Sequence, residues 1–281
     1  MSDRRDLARR LAPLVLLVLL AGGWLVAEPA GVRLASADPE PAEDWTDALE
    51  TLPDDALVLV GFDPDVGTYA EIRPTVRAAL ADLLNRDARL AFVNLTPEGR
   101  ALLIAELARL GRDEANPTRW LDLGFLPGAE AALVSLAAGP DVPAGAEGAI
   151  ARRLADEEAG AIDALVVVGG NDLGPRSWVE QVLPRLGERP LLAIAPTILL
   201  PELQPFLASG QIDALLATPR DGAAYRAAVE LGPLERLREP EPTGLPLLLG
   251  MLVALAVLGQ AWLARTGSSI RELGREGREH A

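Results

Sequence analysis

The 281-residue chain predicts an α/β fold: a three-layer, mostly parallel six-stranded sheet flanked by N- and C-terminal membrane helices. Two observations carry that reading. Continuous apolar runs alternate with segments apolar at helical spacing, as strands buried on both faces and their crossover helices require. Two long uncharged stretches bracket this alternating region, and arginines cluster outside both of them.

The first stretch, Leu11 to Ala27, follows Arg4, Arg5, Arg9 and Arg10. At about 1.5 Å per residue it would span roughly 25 Å, short for a crossing and long for a signal-peptide core. Ala35-Ser36-Ala37 resembles a signal-peptidase site, so a retained signal anchor and a cleaved signal peptide both stay open. Residues 28–53, with Pro29, Pro39, Pro41 and Pro53, read as a stalk with a short helix around Trp45 to Leu52. Ala56 to Phe62 is the first strand, and Ala70 to Leu84 a helix apolar at Ile72, Val76, Leu80 and Leu83. Arg89 to Leu95 is the second strand. Thr96-Pro97-Glu98 then opens a helix with an N-cap and an N1 proline, running to Leu110.

Arg119 to Phe125 is the third strand and Ala129 to Ala138 its helix, followed by a polar helix near Ile150 to Glu158. Ala164 to Val168 is the strongest strand in the chain. It leads through Gly169-Gly170-Asn171-Asp172 to Ser177-Trp178-Val179-Glu180, a capping-box pattern that predicts a helix start. Pro190 to Ala195, Leu199 to Ala208, Ile212 to Ala217 and Asp221 to Leu231 complete the alternation as strand, helix, strand and helix. The domain is thus expected over residues 54–231, in a Rossmann-like or flavodoxin-like arrangement, since a barrel would need eight such units. Asp55 to Gly61 and Asp163 to Gly169 echo each other, with Asp213-Ala214-Leu215-Leu216 a partial third copy. A linker at 232–244 leads to Leu245 to Ala264, 20 residues without a charge and about 30 Å of helix. Residues 265–281 carry Arg265, Arg271, Arg275 and Arg278. By the positive-inside rule residues 1–10 and 265–281 lie in the cytoplasm and the domain outside the cell membrane, single-pass if the first segment is cleaved.

Absences in the composition exclude much chemistry. The chain has no Cys, no Lys and a single His, His280. Disulfides, thiol nucleophiles, P-loop or Schiff-base lysines, Ser-His-Asp triads and histidine metal sites are therefore excluded. Residues 28–243 hold 36 acidic groups against 18 Arg, so nucleic acid is repelled.

In an open parallel sheet, ligands bind beyond the carboxyl ends of the strands. That edge offers five candidates: Asp63, Asp65, Asn94, Asp172 and Arg220. Asp63, Asp65 and Asp172 are the weak candidates for a hard cation, Mg²⁺ or Ca²⁺, which take oxygen ligands; no other cofactor is expected. Asp63 and Arg220 are expected within about 12 Å of each other, on loops up to two strands apart. As loop residues, each should cost under about 1 kcal/mol when replaced by Ala. Gly169 to Gly174 lacks the G-x-G-x-x-G spacing and reads as a structural turn or a small-ligand loop.

Asp63-x-Asp65 after a strand, with Thr96 after the next, resembles haloacid-dehalogenase phosphatases, which would imply phosphoryl chemistry. Thr68 falls one residue late for that family's Asp-x-Asp-x-Thr motif, and its basic residue, usually Lys, has no counterpart. Leu203 to Tyr225, with Ser209-Gly210-Gln211 before a strand and Arg220-Asp221-Gly222-Ala223-Ala224 after it, is similar to uncharacterised prokaryotic membrane-anchored extracytoplasmic α/β proteins. That resemblance implies a membrane-held α/β domain and no particular activity. The function expected is a non-enzymatic binding or scaffold component of a membrane complex. Its partners would be the membrane and either another protein or a second copy, through the small residues Gly250, Ala254 and Gly259. The alternative is a carboxylate- or metal-dependent hydrolase on the outer face.

Overall fold

The computed structural model describes residues 40–113 and 119–229. Its strands are β1 (Leu57–Asp63), β2 (Arg89–Asn94), β3 (Trp120–Phe125), β4 (Ala164–Gly169), β5 (Leu191–Ile194) and β6 (Ala214–Leu216). Its helices are α1 (Glu40–Glu50), α2 (Val66–Asn85), α3 (Pro97–Asp113), α4 (Glu130–Ala138), α5 (Ala149–Glu157), α6 (Pro175–Gln181), α7 (Leu183–Leu186), α8 (Leu200–Ala208) and α9 (Pro219–Ala228).

The strands form one all-parallel sheet in the order β3-β2-β1-β4-β5-β6. That is the Rossmann order and not the flavodoxin one, and its switch point lies between β1 and β4. β1 and β4 are buried at every residue, because each is covered on both faces. Side chains alternate across the sheet. Val58, Val60 and Phe62 join the core made with α1, α2, α3 and α9, while Leu57 and Leu59 join the core made with α4 to α8. Each such Val, Leu or Phe contributes about 1.5–3 kcal/mol on full burial. Gly61 lies on the second face, where the Trp178 indole of α6 occupies the space a Cβ would take.

Two of the three echoed aspartates, Asp163 and Asp213, share a structural role, which Asp55 does not take. The Asp163 main-chain N–H donates to Leu57 O at 2.9 Å, and its Oδ2 accepts the Leu57 N–H at 2.7 Å. Asp213 repeats both bonds on Leu191, at 2.9 and 2.8 Å. An Asp just before one strand thus clasps the first residue of its neighbour, on β1 from β4 and on β5 from β6.

Two expectations change. The acidic helix placed in the stalk belongs to the domain: α1 packs on β6 and α9, with Trp45 fully buried and edge-on to Tyr225 at 5.9 Å. Its apolar stripe, Ala42, Trp45 and Leu49, outweighs its surface of carboxylates and covers the three-residue edge strand β6. The capping box at Ser177 does not form, because Pro175 starts α6 two residues earlier. Ser177 is buried instead and donates to Asp172 O at 2.6 Å. A capping box does form at α9, between Thr218 and Asp221. Among the described residues no helix is long and apolar enough to cross a membrane. The segments 11–27 and 245–264, on which the membrane reading rests, lie outside the described residues.

Candidate functional site

The switch point brings together the loops after β1, β2 and β4, and Asp63 joins all three. It is the last residue of β1, not a loop residue, and is 1% exposed. Its Oδ1 accepts the main-chain N–H groups of Leu95 (2.9 Å) and Thr96 (2.8 Å) and the Thr96 hydroxyl (2.9 Å). Its Oδ2 accepts, among the described residues, only the Leu95 N–H, at 3.0 Å. Thr96 Oγ1 in turn accepts the Gly99 N–H, so the N-cap of α3 hangs from the end of β1. The Asp63 main-chain oxygen accepts from Asn171 Nδ2 at 2.9 Å and from the Gly170 N–H at 3.3 Å. Burial pushes the Asp63 carboxyl up to about 6, and the bonds from Leu95 and Thr96 offset only part of that rise.

These contacts bring the loops after β1, β2 and β4 against one another. A Cβ on Gly170 would stand 2.8 Å from the Asp65 main-chain N, and one on Gly99 would stand 2.6 Å from Asp63 Oδ1. Asp65 caps α2, its Oδ1 accepting from Gly67 N at 2.7 Å and Thr68 N at 3.3 Å. In a dinucleotide-binding sheet the pyrophosphate occupies that helix N-terminus. Here a carboxylate already holds those N–H groups, and a phosphate would meet both its charge and its bulk.

The other candidates disperse. Asn94 is fully buried; its Nδ2 donates to Phe62 O at 2.5 Å and its Oδ1 has no partner among the described residues. Asp172 is exposed. Arg220 is exposed in the first turn of α9, with no ion pair among the described residues. It shares the carboxyl edge with Asp63, but β6 is three strands from β1, about 14 Å at the usual spacing. The expected 12 Å approach assumed a nearer strand. Of the three cation candidates, Asp63 and Asp65 are turned to main-chain donors and Asp172 is exposed. Among the described residues no group of three acidic side chains could hold a metal ion.

Two polar networks escaped the sequence reading, both on α2. Glu106 of α3, 3% exposed, accepts a forked pair of bonds from Arg77 at 2.8–3.1 Å and one from Arg109 at 3.1 Å. Burial opposes its charge, but Arg77 above all, with Arg109 and the Tyr69 hydroxyl, holds its carboxyl below the usual range. The available signal was a carboxylate on the apolar stripe of Leu103 and Leu107. On the other side of α2, the Tyr225 hydroxyl donates to Asp82 Oδ2 at 2.7 Å, and Arg86 pairs with Asp82 at 3.1 Å. Both networks bind helix to helix. Compared with family models, curated proteins and solved structures, the chain has no match.

Proposed function

We propose that the chain is a membrane-anchored extracytoplasmic α/β domain acting as a non-enzymatic binding or scaffold component of a membrane complex. The observation that carries this reading is the switch point, where the loops after β1 and β4 touch and Asp65 caps α2. A fold of this topology reserves that crevice for a ligand, and here Asp63, Asp65, Gly170 and Asn171 close it from within. A domain that has given up its ligand crevice keeps its outer surface for recognition. The anchoring half of the reading rests on the two uncharged segments and the arginines beyond them.

The test has two arms. A reporter that fluoresces only in the cytoplasm is expected to light up after Ala281 and stay dark at Gly145; fluorescence at Gly145 overturns the extracytoplasmic placement. In mild detergent the full chain is expected to run as a complex that Gly250→Leu with Ala254→Leu disrupts, since small residues let helix backbones approach closely. A monomer before and after that change overturns the scaffold role through the second segment.

A further inference from the structure

We propose that the open edge of the sheet is an interface between two copies of this chain, in which β3 pairs antiparallel with β3 of the second copy about a two-fold axis at Leu121. The two edges of the sheet differ. β6 is covered by α1, whereas among the described residues no strand pairs with the outer side of β3. The Leu90 N–H donates to Arg119 O at 3.0 Å, so Arg119 and Leu121 face β2. The N–H and C=O groups of Trp120 and Asp122 therefore point away from the sheet. Beyond them a bulge interrupts the ladder, and the Gly124 N–H turns back to Asp122 Oδ1 at 2.9 Å.

This spacing is its own complement. With Leu121 opposite the partner's Leu121, Trp120 stands opposite the partner's Asp122, and each such pair exchanges both main-chain hydrogen bonds.

Charge and shape favour a second copy. The chain has a net charge of −15, so two copies meet where carboxylates are absent or paired. At this edge Asp122 pairs with Arg100 at 2.6 Å and Arg119 with Asp87 at 2.7 Å. Arg100 marks the flank of α3 that lies over β3. Ile104, one turn on, is 53% exposed there, with Ala101 and Ala108 beside it. Phe125, 41% exposed, ends the strand. An axis normal to the sheet puts both α3 flanks on the same side, so each copy offers the other an apolar flank that a lone strand lacks. A strand of this length is about 20 Å long and three layers are about 30 Å deep, so the face measures about 600 Å² per copy. That is the lower end for a stable pair and fits a Kd on the order of 10 µM.

The inference is independent of the segment at 245–264. It is tested in the full chain carrying Gly250→Leu and Ala254→Leu, so that its failure and that of the scaffold reading are separate. In mild detergent, hydrogen exchange at the Trp120 and Asp122 amides is expected to be about fivefold slower at about 100 µM chain than at about 1 µM, as that Kd gives. Fast exchange at both concentrations overturns the interface. Slow exchange at both, in a chain that runs as a monomer, shows that another part of this chain covers the edge and overturns the second copy as its occupant.

The register has its own readout. The chain has no Cys, so Leu121→Cys introduces a single thiol. Antiparallel residues opposite each other in such a pair lie about 4.5 Å apart at Cα, within disulfide reach. Mild oxidation is expected to give a covalent dimer from Leu121→Cys and none from Gln211→Cys, which is exposed before β6. A Leu121→Cys chain that cross-links no better than Gln211→Cys overturns the two-fold axis.

Discussion

Where the strands begin, carboxylates stand beside arginines: Asp55 with Arg89, Asp87 with Arg119 and Asp163 with Arg153, at 2.7–3.0 Å. Where the strands finish, Asp63, Asp65 and Asp221 are held by main-chain N–H groups and hydroxyls. The helix dipoles account for the contrast. In a parallel α/β sheet the crossover helices start at the finishing end and stop at the beginning end, so positive poles gather at one and negative poles at the other. Carboxylates cap the first: Asp65 on α2, Thr96 with Asp63 on α3, and Thr218 with Asp221 on α9. Guanidiniums serve the second, as Arg119 does on Leu84 O at the close of α2 and Arg189 on Leu186 O at the close of α7. At α2, α3 and α9 the positive poles are thus internally neutralised, whereas α4, α6 and α8 start without a side-chain cap.

Substitutions at the two ends should respond differently to burial and to salt. The largest effect is expected from Asp63→Ala, which strands the Leu95 and Thr96 N–H groups and leaves a void: a loss of about 2–4 kcal/mol by denaturant unfolding. A loss under about 1 kcal/mol, the figure expected of a loop residue, would show that α3 does not depend on this anchor. Gly170→Ala should follow at about 1–3 kcal/mol, because the new methyl meets Asp65 main chain. An unchanged midpoint would mean that the loops after β1 and β4 part easily, reopening the case for a ligand crevice.

At the opposite end, Asp163→Ala should cost about 1–2 kcal/mol, since it removes one half of the β1–β4 clasp while the main-chain half survives. The smallest effect is expected from Arg89→Ala. Its partner Asp55 is mostly exposed, so the ion pair is worth about 0.2–1 kcal/mol and should fade by 0.5 M salt, to about a 4 Å screening length. Salt-independent loss on Arg89→Ala, or salt-dependent loss on Gly170→Ala, would erase the distinction between the ends.

Strand and helix positions were legible because each depends on a local pattern. The runs at residues 57–62 and 164–168 read as doubly covered strands and are so. Thr96-Pro97 announced α3, and its N-cap bond is present. Errors arose where a local signal competed with another or with a distant surface. Pro175 displaced the start that Ser177 suggested, and α1 was read by its carboxylates and not by the stripe that finds β6 and Tyr225. For the site, the sequence located the correct edge but misread Asp63, whose donors Leu95 and Thr96 lie 32 and 33 residues away. No window around Asp63 contains them.

By itself, then, the sequence determined the alternation of buried strands and helices, the excluded chemistries and the acidic surface, since periodicity, composition and charge are properties of short stretches and sums. Tertiary structure alone decided the strand order 3-2-1-4-5-6, the separation of Arg220 from Asp63 and the closure of the switch point. Strand order follows from which helices pack on which face, and crevice depth from whether two loops distant in the chain touch. Both are set by contacts between residues that no local pattern connects.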